Sequence, residues 1–96
     1  MKAWYQKTSN LGEAFGEFHQ KISENSSLDE KTMELIKIAV SSVLRCSHCT
    51  QGHIKKARSL GVTSLEITDA LLISSLQAAG TQLFWDRENF EKNLLD

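Results

Sequence analysis

The chain has 96 residues, of which 41% are hydrophobic, and its formal net charge is -1. This length predicts one domain over residues 1–96, with a small core. There is no excess of basic residues to neutralise phosphates, so nucleic acid is not an expected partner. No apolar run is long enough for a membrane span, and residues 1–10 lack the apolar segment of a signal peptide. We therefore expect a cytoplasmic protein that makes no membrane contact.

The absence of prolines and the low count of five glycines indicate an all-α fold. The N-terminal segment with Trp4 and Tyr5 shows no periodicity and is predicted to be irregular. A first helix is predicted from about Asn10 to the polar cluster at residues 24–27. Its apolar residues recur at intervals of three and four and share one stripe: Leu11, Phe15, Phe18 and Ile22.

A second helix is predicted from a capping box, in which the Ser27 side chain and the Glu30 side chain each bind the other's backbone amide. It should extend to about Arg45. Residues 35–44 are apolar most of the way around the helix, so this helix is expected to be central and the most buried. The predicted apolar stripe consists of Met33, Ile36, Val40 and Val43, widened by Leu35, Ala39 and Leu44.

A third helix is predicted from the cysteine pair to Leu60, with Gly61 ending it in the left-handed conformation. A second capping box, at Thr63 and Glu66, opens a fourth helix. Gly80 interrupts the apolar pattern, so the sequence leaves open whether the last helix is separate or continues the fourth with a kink. The last helix is expected to direct four apolar residues inward: Leu83, Phe84, Phe90 and Leu94.

The two cysteines of the chain, Cys46 and Cys49, are separated by two residues. In a reducing cytosol such a pair is more typical of catalysis or metal binding than of a permanent disulfide. A helix N-terminus lowers the pKa of a thiol, and Cys49 is predicted in the first turn of the third helix. His53 follows four residues later, on the same helical face. The pair is therefore predicted to be a reactive dithiol with a base nearby.

Glu34 lies twelve residues before Cys46, a little over three helical turns. If the second and third helices pack as an antiparallel hairpin, its carboxylate lies beside the His53 imidazole. A carboxylate in that position would orient the ring.

The spacing Glu34-x11-Cys46-x-His48-Cys49-x3-His53 resembles the signature of the alkylhydroperoxidase D-like group, within the carboxymuconolactone decarboxylase family. All five positions of the signature are matched, and the similarity covers about residues 11–85. The resemblance implies a compact helical bundle with the CxxC motif at a helix N-terminus. It also implies that Cys49 attacks a peroxide, that Cys46 resolves the product as a disulfide, and that Glu34, His48 and His53 relay protons.

The function implied by the resemblance is that of a thiol-dependent peroxidase or disulfide oxidoreductase that reduces hydroperoxides. No cofactor and no metal are expected. The implied partners are a hydroperoxide and a dithiol or lipoyl-type reductant, and the family's best-known case also involves a peroxiredoxin. Members of the family commonly assemble as homo-trimers or homo-hexamers.

Several alternatives stay open on the sequence. An analogy with thioredoxin-like motifs would make Cys46 the attacking thiol. Cys46, His48, Cys49 and His53 also have the chemistry of zinc ligands, although structural sites usually draw ligands from two chain segments. The remaining alternatives are a carboxymuconolactone decarboxylase, which does not rely on a CxxC motif, and a binding protein that uses the dithiol as a redox switch.

Overall fold

The computed structural model describes residues 2–95, and every regular element in that range is an α-helix. This confirms the all-α prediction. The helices are α1 (Trp4–Thr8), α2 (Asn10–Asn25), α3 (Glu30–Val43), α4 (Ser47–Ser59), α5 (Ser64–Phe84) and α6 (Arg87–Leu94). Within residues 2–95 no helix has the length and apolar character needed to cross a membrane. The chain divides into two compact units between Glu30 and Lys31, and each is described by itself. The single domain over residues 1–96 stays a prediction.

The first unit corrects the prediction of an irregular N-terminal segment. Residues 4–8 form the short helix α1, and the Tyr5 ring contacts the edge of the Phe15 ring on α2 at 5.5 Å between centroids. Gly12 permits this packing, because a Cβ there would collide with the backbone carbonyl of Tyr5. One helical turn is too short to show a hydrophobic period, and contacts with α2 stabilise it. The bounds of α2 agree with the prediction, and Ser9 caps it by accepting from the Gly12 amide at 2.9 Å.

The predicted capping box at the start of the second helix is wrong. Helix α3 begins at Glu30, so Glu30 is its first residue and Ser27 lies outside the helix. The preceding residues form a local turn instead, in which the Leu28 amide donates to the Ser26 hydroxyl at 3.1 Å. A serine that competes in this way for nearby backbone groups can delay the start of a helix.

Both α3 and α4 end in a Schellman motif, which determines where the next residues point. After α3, the Cys46 amide donates to the Ser41 carbonyl at 2.9 Å and the Arg45 amide to the Ser42 carbonyl at 3.2 Å. Arg45 takes the left-handed position, with φ of 59°. After α4, Gly61 occupies the equivalent position with φ of 90°, as predicted. Glycine adopts this conformation freely, whereas an arginine there is strained by about 1–2 kcal/mol.

The second unit has a small core. Its buried apolar side chains come from three helices and one connection: Ile38, Ala57, Val62 and Ile67, with Leu35, Ile54 and Leu71 packed against them. Helix α3 supplies two buried residues, Glu34 and Ile38, more than any other helix in residues 2–95. The predicted stripe on α3 is confirmed only in part, because Leu35 packs against this core but other members of the stripe do not. Ile36, Val40 and Val43 are each about half exposed, because α3 directs the neighbouring face inward.

The C-terminal helices also differ from the prediction. Helix α5 continues through Gly80 to Phe84, and α6 starts only at Arg87. One glycine inside a long helix costs only about 1 kcal/mol, so it did not end α5. Leu83, Phe84 and Leu94 were predicted to point inward, but they are 69%, 64% and 75% exposed. Phe90 is half-buried, and its ring contacts the edge of the Trp85 ring at 5.9 Å.

The capping box that opens α5 is formed as predicted, and it provides a test of stability. The Glu66 amide donates to the Thr63 hydroxyl at 3.1 Å, and the Thr63 amide donates to the Glu66 carboxylate at 2.9 Å. We expect Thr63→Ala to lower the free energy of unfolding by about 1 kcal/mol, measured by urea denaturation at one protein concentration. Thr68→Ala, an exposed threonine inside the same helix, is the control, with an expected change within about 0.5 kcal/mol. Equal losses in both variants would contradict a capping role.

Candidate active site

Helices α3 and α4 double back on each other, and this brings together two residues that are nineteen positions apart. Oε1 of Glu34, in the first half of α3, lies 2.9 Å from Nδ1 of His53 on α4. The connection contains only residues 44–46, and the Schellman motif at Arg45 reverses the chain within it. The predicted contact between Glu34 and His53 is therefore present, and it depends on the hairpin as expected.

Glu34 is buried, with 2% of its surface exposed, yet both carboxylate oxygens are paired. Oε1 accepts from His53, and Oε2 lies 3.1 Å from Nζ of Lys37. Burial raises the pKa of the Glu34 carboxyl, but the hydrogen bonds from His53 and Lys37 and their charges lower it by more. The net pKa is below the ordinary value, so Glu34 is ionised at neutral pH.

The ionised carboxylate determines the tautomer of His53. A carboxylate can only accept hydrogen bonds, so the hydrogen atom between the two groups belongs to Nδ1. Nε2 is then the nitrogen that can take up or release a proton. The His53 ring is half-buried. Glu34 holds one side of it, and part of the ring is accessible to solvent.

Lys37 is a site residue that was not predicted from the sequence. It is placed three residues after Glu34 on α3, and residues at this separation are neighbours on a helix surface. The i, i+3 rule applied to Glu34 would have identified it. Lys37 holds the second carboxylate oxygen, so the first remains directed at His53.

Cys46 and Cys49 are joined by a disulfide, with their Cα atoms 5.3 Å apart. Cys46 is the N-cap of α4, and Cys49 lies in the first turn, as predicted. The Cys49 amide donates to Sγ of Cys46 at 3.3 Å. A helix N-terminus favours a negative charge, so this hydrogen bond favours the thiolate form of Cys46 after reduction. His53, in contrast, is four residues beyond Cys49 on the same face of α4.

His48 has a different environment from His53. It is exposed in the first turn of α4, and its imidazole has no hydrogen bond with any residue in the range 2–95. The structure thus joins four of the five predicted site residues in two pairs, the hydrogen-bonded Glu34 and His53 and the disulfide-bonded Cys46 and Cys49. His48 lies between the cysteines in sequence but belongs to neither pair.

An open cleft of about 650 Å³ lies beside Cys46. Cys46 lines it, whereas Cys49 does not. The other lining residues come from the end of α3, the connection, α4 and α5: Ser41, Ser42, Arg45, Ser47, Thr50, Gln51, Ile54, Lys55 and Leu71. The two ionisable groups in this set other than the cysteine are both cations. This cleft could not be predicted from the sequence, because the packing of three helices forms it.

Among residues 2–95, no group of three or more His, Cys, Asp or Glu side chains is placed to hold a metal ion. In this form of the protein the two sulfur atoms are bonded to each other. A thiolate is the form of cysteine that ligates zinc, so the zinc alternative would require the disulfide to be opened first.

The structure is thus an all-helical protein with a CxxC disulfide at a helix start and a carboxylate–imidazole pair on the same α3–α4 hairpin. Comparison with known proteins assigns the family. The sequence model of the carboxymuconolactone decarboxylase family matches residues 9–86, and the chain belongs to this family. Together with the relatives below, the match supports the alkylhydroperoxidase D-like group within it.

Two relatives and one solved structure illustrate the similarity. The chain is 32% identical over 72 residues to "Uncharacterized protein 4 in cox locus" of Paracoccus denitrificans, covering 75% of this chain and 65% of that protein. It is 29% identical over 75 residues to alkyl hydroperoxide reductase AhpD of Corynebacterium kroppenstedtii, covering 74% of this chain and 43% of that protein. The chain thus spans less than two thirds of either relative. A crystal structure of a Methanobacterium thermoautotrophicum protein superposes with a TM-score of 0.80 at 26% identity, covering 92% of this chain and 99% of that one.

Proposed function

We propose that this protein is a thiol-dependent peroxidase that reduces hydroperoxides through Cys49 and Cys46. The Cys49 thiolate attacks the terminal oxygen of the hydroperoxide, the O–O bond breaks, and the alcohol leaves after taking a proton. Cys49 is then a sulfenic acid. The Cys46 thiol displaces its hydroxyl as water, and the disulfide seen in the structure closes.

The observation that carries this proposal is the hydrogen bond between Glu34 and His53, at 2.9 Å. With Nδ1 committed to Glu34, Nε2 is available to take the proton from the Cys49 thiol and to give one to the departing alkoxide. A structural disulfide would require no such group beside it. The name of the Corynebacterium relative, an alkyl hydroperoxide reductase, supports the same reaction.

The catalytic cycle needs an external reductant, because the disulfide must be reopened by two electrons from thiols. We propose a dithiol, of the lipoyl type or carried by a partner such as a peroxiredoxin system. A reducing cytosol would supply such thiols, which supports a cytoplasmic location.

The proposal is tested by hydroperoxide consumption with a dithiol reductant in the wild type, Cys49→Ser and Cys46→Ser. We expect Cys49→Ser to lose turnover entirely. Cys46→Ser should react once and accumulate a sulfenic acid on Cys49, detected with a sulfenic-acid-trapping reagent and mass spectrometry.

The same pair of variants separates the two possible nucleophiles. The hydrogen bond from the Cys49 amide to Cys46 favours a thiolate on Cys46. If Cys46 is the attacking thiol, the sulfenic acid will appear in Cys49→Ser instead. If wild type consumes no hydroperoxide and forms no disulfide in its presence, the peroxidase proposal is wrong, and the decarboxylase named by the family becomes the activity to assay.

We also propose that copies of the chain assemble as homo-trimers or homo-hexamers. Large apolar side chains are exposed within each unit, and exposed apolar patches mark surfaces where proteins associate. Those of α2 and α5 that are more than half exposed include Leu11, Phe15, Phe18, Leu65, Leu72, Ile73, Leu76, Leu83 and Phe84. Sedimentation velocity over a range of concentrations measures the assembly directly.

A further inference from the structure

We propose that the cleft beside Cys46 binds the reductant, that this reductant is a thiol carrying a negative charge, and that it attacks Sγ of Cys46. This inference rests on the proposed function, since it names the substrate class of the reductive half of that cycle. It is carried by three observations: which sulfur lines the cleft, which charges line it, and the conformation of Arg45.

The cleft gives access to one sulfur of the disulfide. Cys46 is among the lining residues and Cys49 is not. The rate of thiol–disulfide exchange depends on access to the sulfur under attack and on how readily the other sulfur leaves. Cys49, as the departing sulfur, is four residues before His53 on the same helical face, so its thiolate has a proton donor within reach. An incoming thiol in the cleft therefore meets Sγ of Cys46, and its attack releases Cys49.

The charges of the cleft are of one sign. Arg45 and Lys55 are its two charged side chains, both are exposed, and neither forms an ion pair or side-chain hydrogen bond within residues 2–95. Other basic residues do have partners, as Lys37 does with Glu34 and Arg87 with Glu91. Two unpaired cations beside a reactive sulfur favour an anionic ligand over a neutral or cationic one.

Arg45 has a conformation that glycine would adopt at lower free energy. It occupies the left-handed position of the Schellman motif, with φ of 59°. The corresponding residue at the end of α4 is Gly61. Residues in strained backbone conformations are concentrated at functional sites. Here the side chain brings a positive charge to the cleft, which glycine would not.

The reaction balances as two thiol–disulfide exchanges. The external thiolate attacks Sγ of Cys46, the Cys46–Cys49 bond breaks, and Cys49 leaves as a thiolate that takes a proton. A second thiolate then attacks the sulfur of the reagent in the mixed disulfide and releases Cys46. Two thiols are oxidised to one disulfide, and the protein disulfide gains two electrons and two protons.

The test uses oxidised full-length protein without any hydroperoxide. Three simple thiols are the probes: 3-mercaptopropionate, which is anionic, 2-mercaptoethanol, which is neutral, and cysteamine, which is cationic. The rate constant for loss of the protein disulfide is measured by quenching with an alkylating reagent and mass spectrometry. Comparing each thiol between protein variants cancels the different intrinsic reactivities of the thiols.

The variants remove the two charges of the cleft. Arg45→Gly retains the left-handed backbone without strain, and Lys55→Gln leaves the helix unchanged. In the double variant we expect the rate constant for 3-mercaptopropionate to fall by about fivefold, the neutral thiol to be unaffected, and cysteamine to react faster. Lys56→Gln, the next residue on α4 and absent from the cleft lining, is the matched control and should leave all three rate constants unchanged.

Two results would overturn the inference. One is a lack of charge selection by the cleft. It would appear as an equal change in the rate constants of all three thiols in the double variant, or as the same changes in Lys56→Gln. The other is a mixed disulfide found on Cys49 rather than Cys46 by fragmentation of the peptide that contains both. Because no hydroperoxide is present, these results leave the peroxidase proposal standing. If the wild type consumes no hydroperoxide but the cleft still selects the anionic thiol, the protein would instead be a disulfide reductase whose own disulfide is formed by another oxidant.

Discussion

In His53→Ala, hydroperoxide consumption by the reduced protein is expected to slow by about two to four orders of magnitude, which is the usual range for losing a general acid–base group. In the proposed mechanism, Nε2 of His53 takes the thiol proton and gives one to the departing alkoxide. Removing the ring removes both transfers. The loss should appear in the second-order rate constant for sulfenic acid formation, measured in single-turnover experiments, and not only in steady-state turnover.

Two other histidines provide controls for this variant. His19 is exposed on α2, and His19→Ala should react at the wild-type rate. His48 is exposed and its imidazole has no hydrogen bond within residues 2–95, so His48→Ala should lose far less than His53→Ala. A loss in His48→Ala as large as that in His53→Ala would show that the proton relay runs through the exposed imidazole. Our assignment of Nε2 would then be wrong.

The pairing of Glu34 with His53 could be predicted from the sequence only on the condition that their two helices pack as a hairpin. Helical spacing places Glu34 a little over three turns before the cysteines, and a short connection forces α3 and α4 into a hairpin. The resemblance to the five-position signature of the family implied the same pair. The position of Cys49 in the first turn of α4 followed from the helix start, which the structure confirms.

The inward face of α3 could not be predicted from the sequence, for a physical reason. Residues 35–44 are apolar almost all round, so the hydrophobic period carries little information about direction there. The structure directs Glu34 and Ile38 inward and leaves Val40 half exposed. The buried polar residue, not the apolar stripe, marks the face that packs on α4.

The cleft and its two charged residues also could not be predicted from sequence patterns. Arg45 and Lys55 are ten residues apart, and only the packing of three helices brings them to one opening. Lys37 was different, because its position three residues after Glu34 is a local signal. Pair rules within a helix can therefore be applied to any candidate catalytic carboxylate before a structure exists.

At pH 7 we expect Glu34→Gln to lower the free energy of unfolding of the oxidised protein by about 1–3 kcal/mol, the usual cost of losing hydrogen bonds to a buried charged group. Glutamine keeps the size of the side chain, and its oxygen can still accept from His53. It cannot carry the negative charge, and its amide group would face Nζ of Lys37. The variant therefore leaves a cation without its buried partner.

The difference between Glu34→Gln and the wild type should depend on pH in a defined direction. Burial raises the pKa of Glu34, but hydrogen bonds and charges from His53 and Lys37 depress it further, so the folded-state pKa lies below the ordinary value of 4.5. A carboxyl with a depressed pKa contributes stability that is fully present above the unfolded-state pKa. That stability is lost as the pH falls through 4.5 and then through the lower folded-state pKa. The stability curves of wild type and variant should therefore converge on the acid side.

Urea denaturation from pH 7 to pH 3, at one protein concentration and with the disulfide intact, measures this convergence. Glu17→Gln is the control, because Glu17 is exposed and has no ion pair within residues 2–95. Its curve should run within about 0.5 kcal/mol of the wild type throughout. A gap between Glu34→Gln and wild type that stays constant down to pH 3 would mean that the charge of Glu34 adds nothing to stability. The carboxylate would then serve His53 by shape and hydrogen bonding alone, and the role assigned to Lys37 would have to be withdrawn.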